Sequence, residues 1–361
     1  MFRFRDRATT QRIVNRLKEM KLNIRVMHVC GTQQDTIVRH GLDILLKECG
    51  VEMRQGPGCP ICITPPEEFE EAVTLARQGV TVAVYGDALK VRGVTGSLAD
   101  ARTEGCDVRI VYSIEDAVKL AERVSNTVVF MALGFETTAP STASMLLRGL
   151  PENLLILNCH RYVPPALHAL LEMGEIDLDG LIEPGHVSTI IGVKPYEEIL
   201  RRYGVPQIVA GFEPVDMLMA VYLLARQIQR GEARVENEYS RTVKYEGNLK
   251  AIEMMDKVFE PFDSSWRGFG VIPKSGMSLK QEFQSHDARR IYKQELKTAV
   301  KGEAKPAGCR CDEILRGIIY PQECPLFSRA CTPENPVGPC MVSAEGSCSI
   351  GYKYGGRSSK E

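Results

Sequence analysis

The chain has 361 residues, with 45 Lys and Arg against 46 Asp and Glu, six His, twelve Cys and one Trp. A balance this close to neutral gives no electrostatic footprint for a nucleic-acid partner, whose phosphates select a basic excess. No apolar run approaches the ~18 residues of a membrane span, and 44% hydrophobic with 25% charged content describes an ordinary globular chain.

The first twenty residues lack the apolar core of a secretory signal, so a cytoplasmic protein is expected. Thr10 followed by Ile13, Val14, Leu17 and Met20 predicts a capped amphipathic helix. From Leu22 to Gly231, short β-branched runs alternate with helical patterns. Strands are predicted at 23–29, 80–86, 107–113, 126–133, 153–158, 178–183 and 206–211, most of them followed by a helix. Continuous apolar strands in such alternation predict parallel sheets covered on both faces. At this length two α/β units are expected, divided as 1–123 and 124–231. The echo of Leu-Gly-Phe-Glu (133–136) in Ala-Gly-Phe-Glu (210–213) is thin support for a duplication. Residues 232–361 read as a polar, partly helical region with a Gly/Pro-rich stretch at 266–276, followed by a Cys-rich tail. Such a tail buries too little apolar surface to fold alone, so a bound metal centre is expected to organise it.

The tail holds Cys309, Cys311, Cys324, Cys331, Cys340 and Cys348. In a large chain without an export signal, that crowding points to metal or redox chemistry. There is no CxxC pair in the tail and no histidine after His286, which disfavours the usual zinc spacings. Cys324-Pro325 and the Gly/Pro-rich spacers suit a [4Fe-4S] cluster held by four thiolates, leaving two thiols over. A zinc knot of four thiolates is the competing reading.

Upstream, Cys30 ends the first strand ahead of Gly31-Thr32, and ligands of open α/β sheets bind beyond such strand ends. Thr32 with Asp35 predicts a helix cap, whose field would lower the Cys30 thiol pKa and favour a metal-binding thiolate. A buried small hydrophobe is the structural alternative. Cys59-Pro-Ile-Cys62 follows Gly-Pro-Gly and precedes a helix start, an arrangement for disulfide exchange or metal capture; a zinc half-site would need a second CxxC, missing from this region. Glu136 and His186 follow later strands and are expected to face one crevice, Glu136 as base or hydrogen-bond acceptor and His186 as proton donor. A cap and a satisfied turn histidine are their structural alternatives. Cys49, Cys106 and Cys159 read as packing residues.

In chain order, VCGT (29–32), GPGCPIC (56–62), GFETTAP (134–140), PGHVSTIIG (184–192), EGN (246–248), WRGFGVIPKSG (266–276) and the cysteine-rich tail together resemble the HypD family. These are accessory proteins that assemble the iron centre of nickel–iron hydrogenases. The resemblance implies two parallel-sheet α/β domains around a cleft plus a C-terminal Cys-rich iron–sulfur domain. It implies a maturation factor that builds the Fe(CN)2CO moiety with a small HypC-type chaperone and receives cyanide from a HypE-type donor. Cys30 then corresponds to the thiolate sharing the iron with the chaperone, and Cys59 and Cys62 to the cleft dithiol. The family also implies a tail cluster beside a disulfide-forming pair, similar to ferredoxin:thioredoxin reductase. The ligands are assigned to Cys309, Cys324, Cys331 and Cys348 and the pair to Cys311 and Cys340; spacing does not separate this from a rival set of the last four cysteines. The family motif is Cys-Gly-Thr-His, whereas Gln33 follows Thr32 here. Glutamine hydrogen-bonds a diatomic ligand but shuttles no proton, and His28 substitutes only if it faces the cleft. The alternative function is an iron–sulfur-dependent thiol–disulfide reductase.

Overall fold

The computed structural model describes residues 7–297 and 308–355. Its strands, in chain order, are β1 (Ile24–His28), β2 (Val51–Gln55), β3 (Thr81–Tyr85), β4 (Val108–Val111), β5 (Val128–Gly134), β6 (Leu154–His160), β7 (Gly180–Pro184), β8 (Gln207–Ala210), β9 (Val235–Asn237), β10 (Phe259–Trp266) and β11 (Gly270–Leu279). All seven predicted strands are present. Every residue of β5, β6, β7 and β8 is buried, as continuous apolar strands covered on both faces must be. The predicted α/β architecture with parallel sheets is what forms.

One parallel sheet runs β2-β1-β7-β8-β9 and the other β4-β3-β5-β6, while β10 and β11 form an antiparallel pair. The strands do not divide at 123/124. Strands β3 and β4 pair with β5 and β6 from beyond that point, and β1 pairs with β7, placing His28 opposite Ile182. Local pattern records that a strand is covered on both faces but not which strand lies beside it.

The N-terminal helix spans Arg7–Glu19, so Thr10 lies within it and not at its cap. Its Ile13, Val14 and Leu17 pack with Met217, Val221 and Leu224 of the helix Pro214–Gln229, against the outer face of the first sheet. A fully buried leucine such as Leu17 contributes about 1.5–3 kcal/mol. A second core lies between the two sheets and runs without interruption from Met27, Val29, Phe135 and Tyr196 to the tail cysteines. The hairpin β10–β11 joins the two regions. Trp266 stacks on Phe135 with ring centroids 5.8 Å apart and donates from Nε1 to Ser275 Oγ, while the Arg267 N–H reaches Ile63 O at 2.7 Å.

Candidate thiol and metal site

Both sheets carry a point where the strand order reverses, between β1 and β7 in one and between β3 and β5 in the other. Ligands of open α/β sheets bind outside the carboxyl ends of the strands at such points. Cys30 follows β1, Pro184 ends β7, and Glu136 follows β5, so three predicted motifs arrive at these edges.

Cys30 is itself the N-cap of the helix Gly31–Arg39, in extended conformation and with no side-chain capping bond. The expected Thr32–Asp35 cap does not form. Thr32 Oγ1 instead donates to Glu345 Oε1 of the tail at 3.1 Å, and Asp35 pairs with Arg39. The expected fall in the Cys30 pKa is also reversed: burial pushes the thiol up to about 11, outweighing the backbone N–H groups of Gln33 and Thr32. The residue rests as a neutral thiol that a metal would have to deprotonate. Gln33, fully buried, donates from Nε2 to the backbone oxygens of Glu183 and Ala210, tying this helix start to the ends of β7 and β8. His28 is buried, hydrogen-bonds Gln34 Oε1 at 2.8 Å, and is held neutral by burial with its pKa down at about 4.

Cys59 and Cys62 are joined as a disulfide, both fully buried, with Cys59 capping the short helix Pro60–Ile63. The tail lies directly on it. Ser343 Oγ sits 3.4 Å from Cys59 Sγ, and Pro339 O 3.9 Å from Cys62 Sγ, which brackets Cys340 between them in sequence. The same tail segment threads between the two sheet edges: the Ala344 N–H donates to Asp87 after β3, and Ser347 bonds Gln55 at the end of β2. Gly31 is needed for this fit, because a Cβ there would stand 2.5 Å from Glu345 Cβ.

All six tail cysteines line one small cavity of about 10 Å³, with Ile314, Leu326, Phe327, Gly338 and Met341 completing the wall. Cys311 and Cys340 approach with their sulfurs 2.7 Å apart, within reach of a disulfide. Their contact holds the Cys311 thiol low, aided by Arg267, and pushes Cys340 up. Cys309, Cys324, Cys331 and Cys348 are the remaining four. Among the described residues no three His, Cys, Asp or Glu side chains converge closely enough for a single ion; the thiols instead stand around the cavity. A wall whose only ligating groups are thiols suits soft metals and iron–sulfur clusters. Gly338 keeps the space open, since a Cβ would lie 2.8 Å from Cys309 Sγ. On donor chemistry these residues fit such a group.

Glu136 and His186 do not share a setting. Glu136 is buried, accepts the Val163 N–H at 3.0 Å, and is pushed up to about 7 by burial. His186 is exposed and stacks on Phe212 with centroids 3.8 Å apart. Cys49 and Cys159 are buried and Cys106 half-buried, and Arg289 Nη2 lies 3.5 Å from Cys159 Sγ. Two acids escaped the sequence reading: Glu183, buried at the end of β7, and Glu345, whose Thr32 contact spans 313 positions. The former lay in plain view as the last residue of a predicted strand, where a carboxylate reads as a solvated end.

The sequence profile of the family described as "HypD: Hydrogenase formation hypA family" matches residues 6–355. The chain belongs to the HypD family. A HypD relative from Azotobacter vinelandii, named hydrogenase maturation factor, is 41% identical over 98% of this chain and 96% of its own length. Its counterpart from Cupriavidus necator is 40% identical with the same coverage. A protein of Methanocaldococcus jannaschii named for hydrogenase expression and formation is 46% identical over 98% of this chain and 99% of its own. No helix among the described residues is long and apolar enough to cross a membrane.

Proposed function

We propose that this hydrogenase maturation factor is a cytoplasmic scaffold on which the Fe(CN)2CO moiety of nickel–iron hydrogenases is built. A HypC-type chaperone and a HypE-type cyanide donor are its partners in this reading. The observation that carries it is the placement of Cys30 at a strand-order reversal, where the Gly31 N–H reaches Gly58 O beside the Cys59–Cys62 disulfide, with the tail segment that bears Cys340, the partner of Cys311, packed on that disulfide through Pro339 and Ser343. Ferrous iron is the cargo. Cys30 gives it one thiolate and the chaperone a second, and binding releases the proton that burial holds on Cys30. Soft sulfur donors suit iron carrying strong-field diatomic ligands.

Opening the Cys59–Cys62 disulfide takes two electrons and two protons. The dithiol form of Cys311 and Cys340 supplies both and becomes a disulfide in return, with Cys311 the readier thiolate. The four thiols of Cys309, Cys324, Cys331 and Cys348 would hold a [4Fe-4S] cluster, which supplies single electrons when bound. The 2.7 Å approach of Cys311 to Cys340 supports this division over a ligand set that includes Cys340. Glu136, satisfied by the Val163 N–H, holds the loop after β5, and exposed His186 stands where a partner would meet the edge of the first sheet.

The test is anaerobic purification of the chain with its small chaperone, followed by infrared spectroscopy and counts of iron and sulfide. Bands of metal-bound cyanide and CO, with more iron than the tail accounts for, are expected. Tail iron alone, with turnover of a protein disulfide, would favour the thiol–disulfide reductase. Zinc in place of iron would overturn both.

A further inference from the structure

Among the described residues four acids are buried: Glu70, Glu136, Glu183 and Asp216. Three have evident structural employment. Glu70 accepts the N–H groups of Val94 and Thr95, Glu136 that of Val163, and Asp216 those of Phe212 and Glu213 together with Arg241. Glu183 is the exception, with no exposed surface and no donor near either carboxylate oxygen. A polar group stranded in this way weakens a fold, and its presence asks for a task.

Its position suggests which. Glu183 lies on β7, in register with Val209 on one side. On the other side is β1, the strand that leads to Cys30; Ile182 O accepts the Val29 N–H there. The strand-order reversal of the first sheet falls between these two strands. Gln33 holds Glu183 O at 3.0 Å, so the helix that starts after Cys30 is fastened to the residue itself. The buried hydroxyl of Tyr196, bonded to Ser188 Oγ at 2.9 Å, feels Glu183, Glu136 and Cys30 together, each opposing its ionisation. These groups therefore surround one interior region between the sheets.

We propose that Glu183 is the neutral acid of the Cys30 site: its protonated carboxyl donates a hydrogen bond to a small anion of the cyanide type brought to that thiol, a place Gln33 does not fill because its amide N–H groups are engaged by Glu183 O and Ala210 O. The inference rests on the scaffold reading above. Burial alone, with no charged neighbour contributing, pushes the Glu183 carboxyl up to about 8. The titratable groups packed around this region are Tyr196 and Cys30, which keep their protons at neutral pH, Glu136, which titrates near 7, and Glu345, whose carboxyl burial pushes up despite its bond from Thr32. The nearby Cys59–Cys62 disulfide does not titrate.

Two variants and two readouts test it. Glu183→Gln keeps a donor but cannot titrate; Glu183→Leu removes both and fills the space with an apolar group. In the full chain without metal, infrared titration should show a protonated-carboxyl band that survives at pH 7 and is lost near pH 8. The band should vanish in both Glu183 variants and persist in Glu136→Gln. In the complex with the small chaperone, loaded with ferrous iron and potassium cyanide, the cyanide stretch should shift in Glu183→Leu and on exchange into D2O. Loading there should slow by roughly 10²-fold. Glu183→Gln should restore the stretch while losing the pH dependence near 8. An unchanged stretch and loading rate in Glu183→Leu would overturn the inference alone, as would a wild-type carboxyl that ionises in the ordinary range. No cyanide band in the wild-type complex would remove the scaffold reading and this inference with it.

Discussion

The two thiol regions of this molecule hide sulfur from water in opposite company. Around the tail cavity the cysteines meet each other and Ile314, Leu326, Phe327 and Met341. Around Cys30 the neighbours are Gln33, Glu183, Tyr196 and the Glu345 carboxylate bonded to Thr32. A uniform apolar wall of thiols is suited to holding a soft metal centre permanently, because it offers no competing hard donor or proton. A lone thiol among titratable groups is suited to exchange, where ligands and protons come and go. On the proposed function, the comparison sets a place for storage against a place for reaction.

The largest expected effect tests the reactive side. Cys30→Ala should abolish iron and cyanide loading of the chaperone complex while the tail's iron and sulfide counts stay unchanged; loading that persists in this variant would sink the role of Cys30. The storage side is sharpened by contrasting Cys324→Ser with Cys311→Ser. The first should empty the tail of iron and expose it to limited proteolysis, because bound metal supplies the folding energy of such segments. The second should retain iron and fail to reduce the Cys59–Cys62 disulfide, as thiol counting under denaturing conditions would report.

Next in size is a polar group that is structural by its contacts. Arg161 is 1% exposed and donates to Glu68, Cys159 O and Ser265 O. Burial acting alone would raise the Glu68 carboxyl, but Arg161 and Arg289 hold it low. Arg161→Ala strands that charge and should cost about 3–5 kcal/mol in denaturant unfolding. The smallest effect runs the other way. Glu183→Leu should stabilise the protein by about 1–3 kcal/mol, since it removes an unpartnered buried group. The sign with pH follows from a folded pKa raised from 4.5 to about 8. The folded state holds this proton more tightly, so its contribution is complete below pH 4.5 and is lost as pH rises through 8. Thermal unfolding of Glu183→Leu across that window should therefore show a flatter decline than wild type.

Seven strands are legible because most are runs of apolar, often β-branched residues set between helical patterns. Strand β2 is not, since Glu52 and Arg54 alternate with Val51 and Met53 along a sheet margin, and β9 has only three residues. The hairpin β10–β11 was hidden by its exposed positions from Glu260 to Asp263 and by the Gly/Pro content of its second strand. Pairing between strands was invisible, and with it the contribution of β7 to the Cys30 edge. Crowding made the tail cysteines stand out, and the structure does gather them. The charge state of Cys30 is not legible in the sequence, because the helix start is visible locally while the burial that Glu345 and the tail impose comes from far along the chain.

The interleaved sheets also set an order of events as the chain is made. The β4-β3-β5-β6 sheet is complete once residue 160 has emerged, but β1 has to wait for β7, more than 150 residues downstream. Domains fold as units during synthesis, and distant pairings close late. Until then β1 has a bare edge and Cys30 lies open to solvent and to passing oxidants. The residue on which the proposed chemistry depends is thus among the last to gain shelter, which makes synthesis itself a stage at which that thiol is open to oxidation.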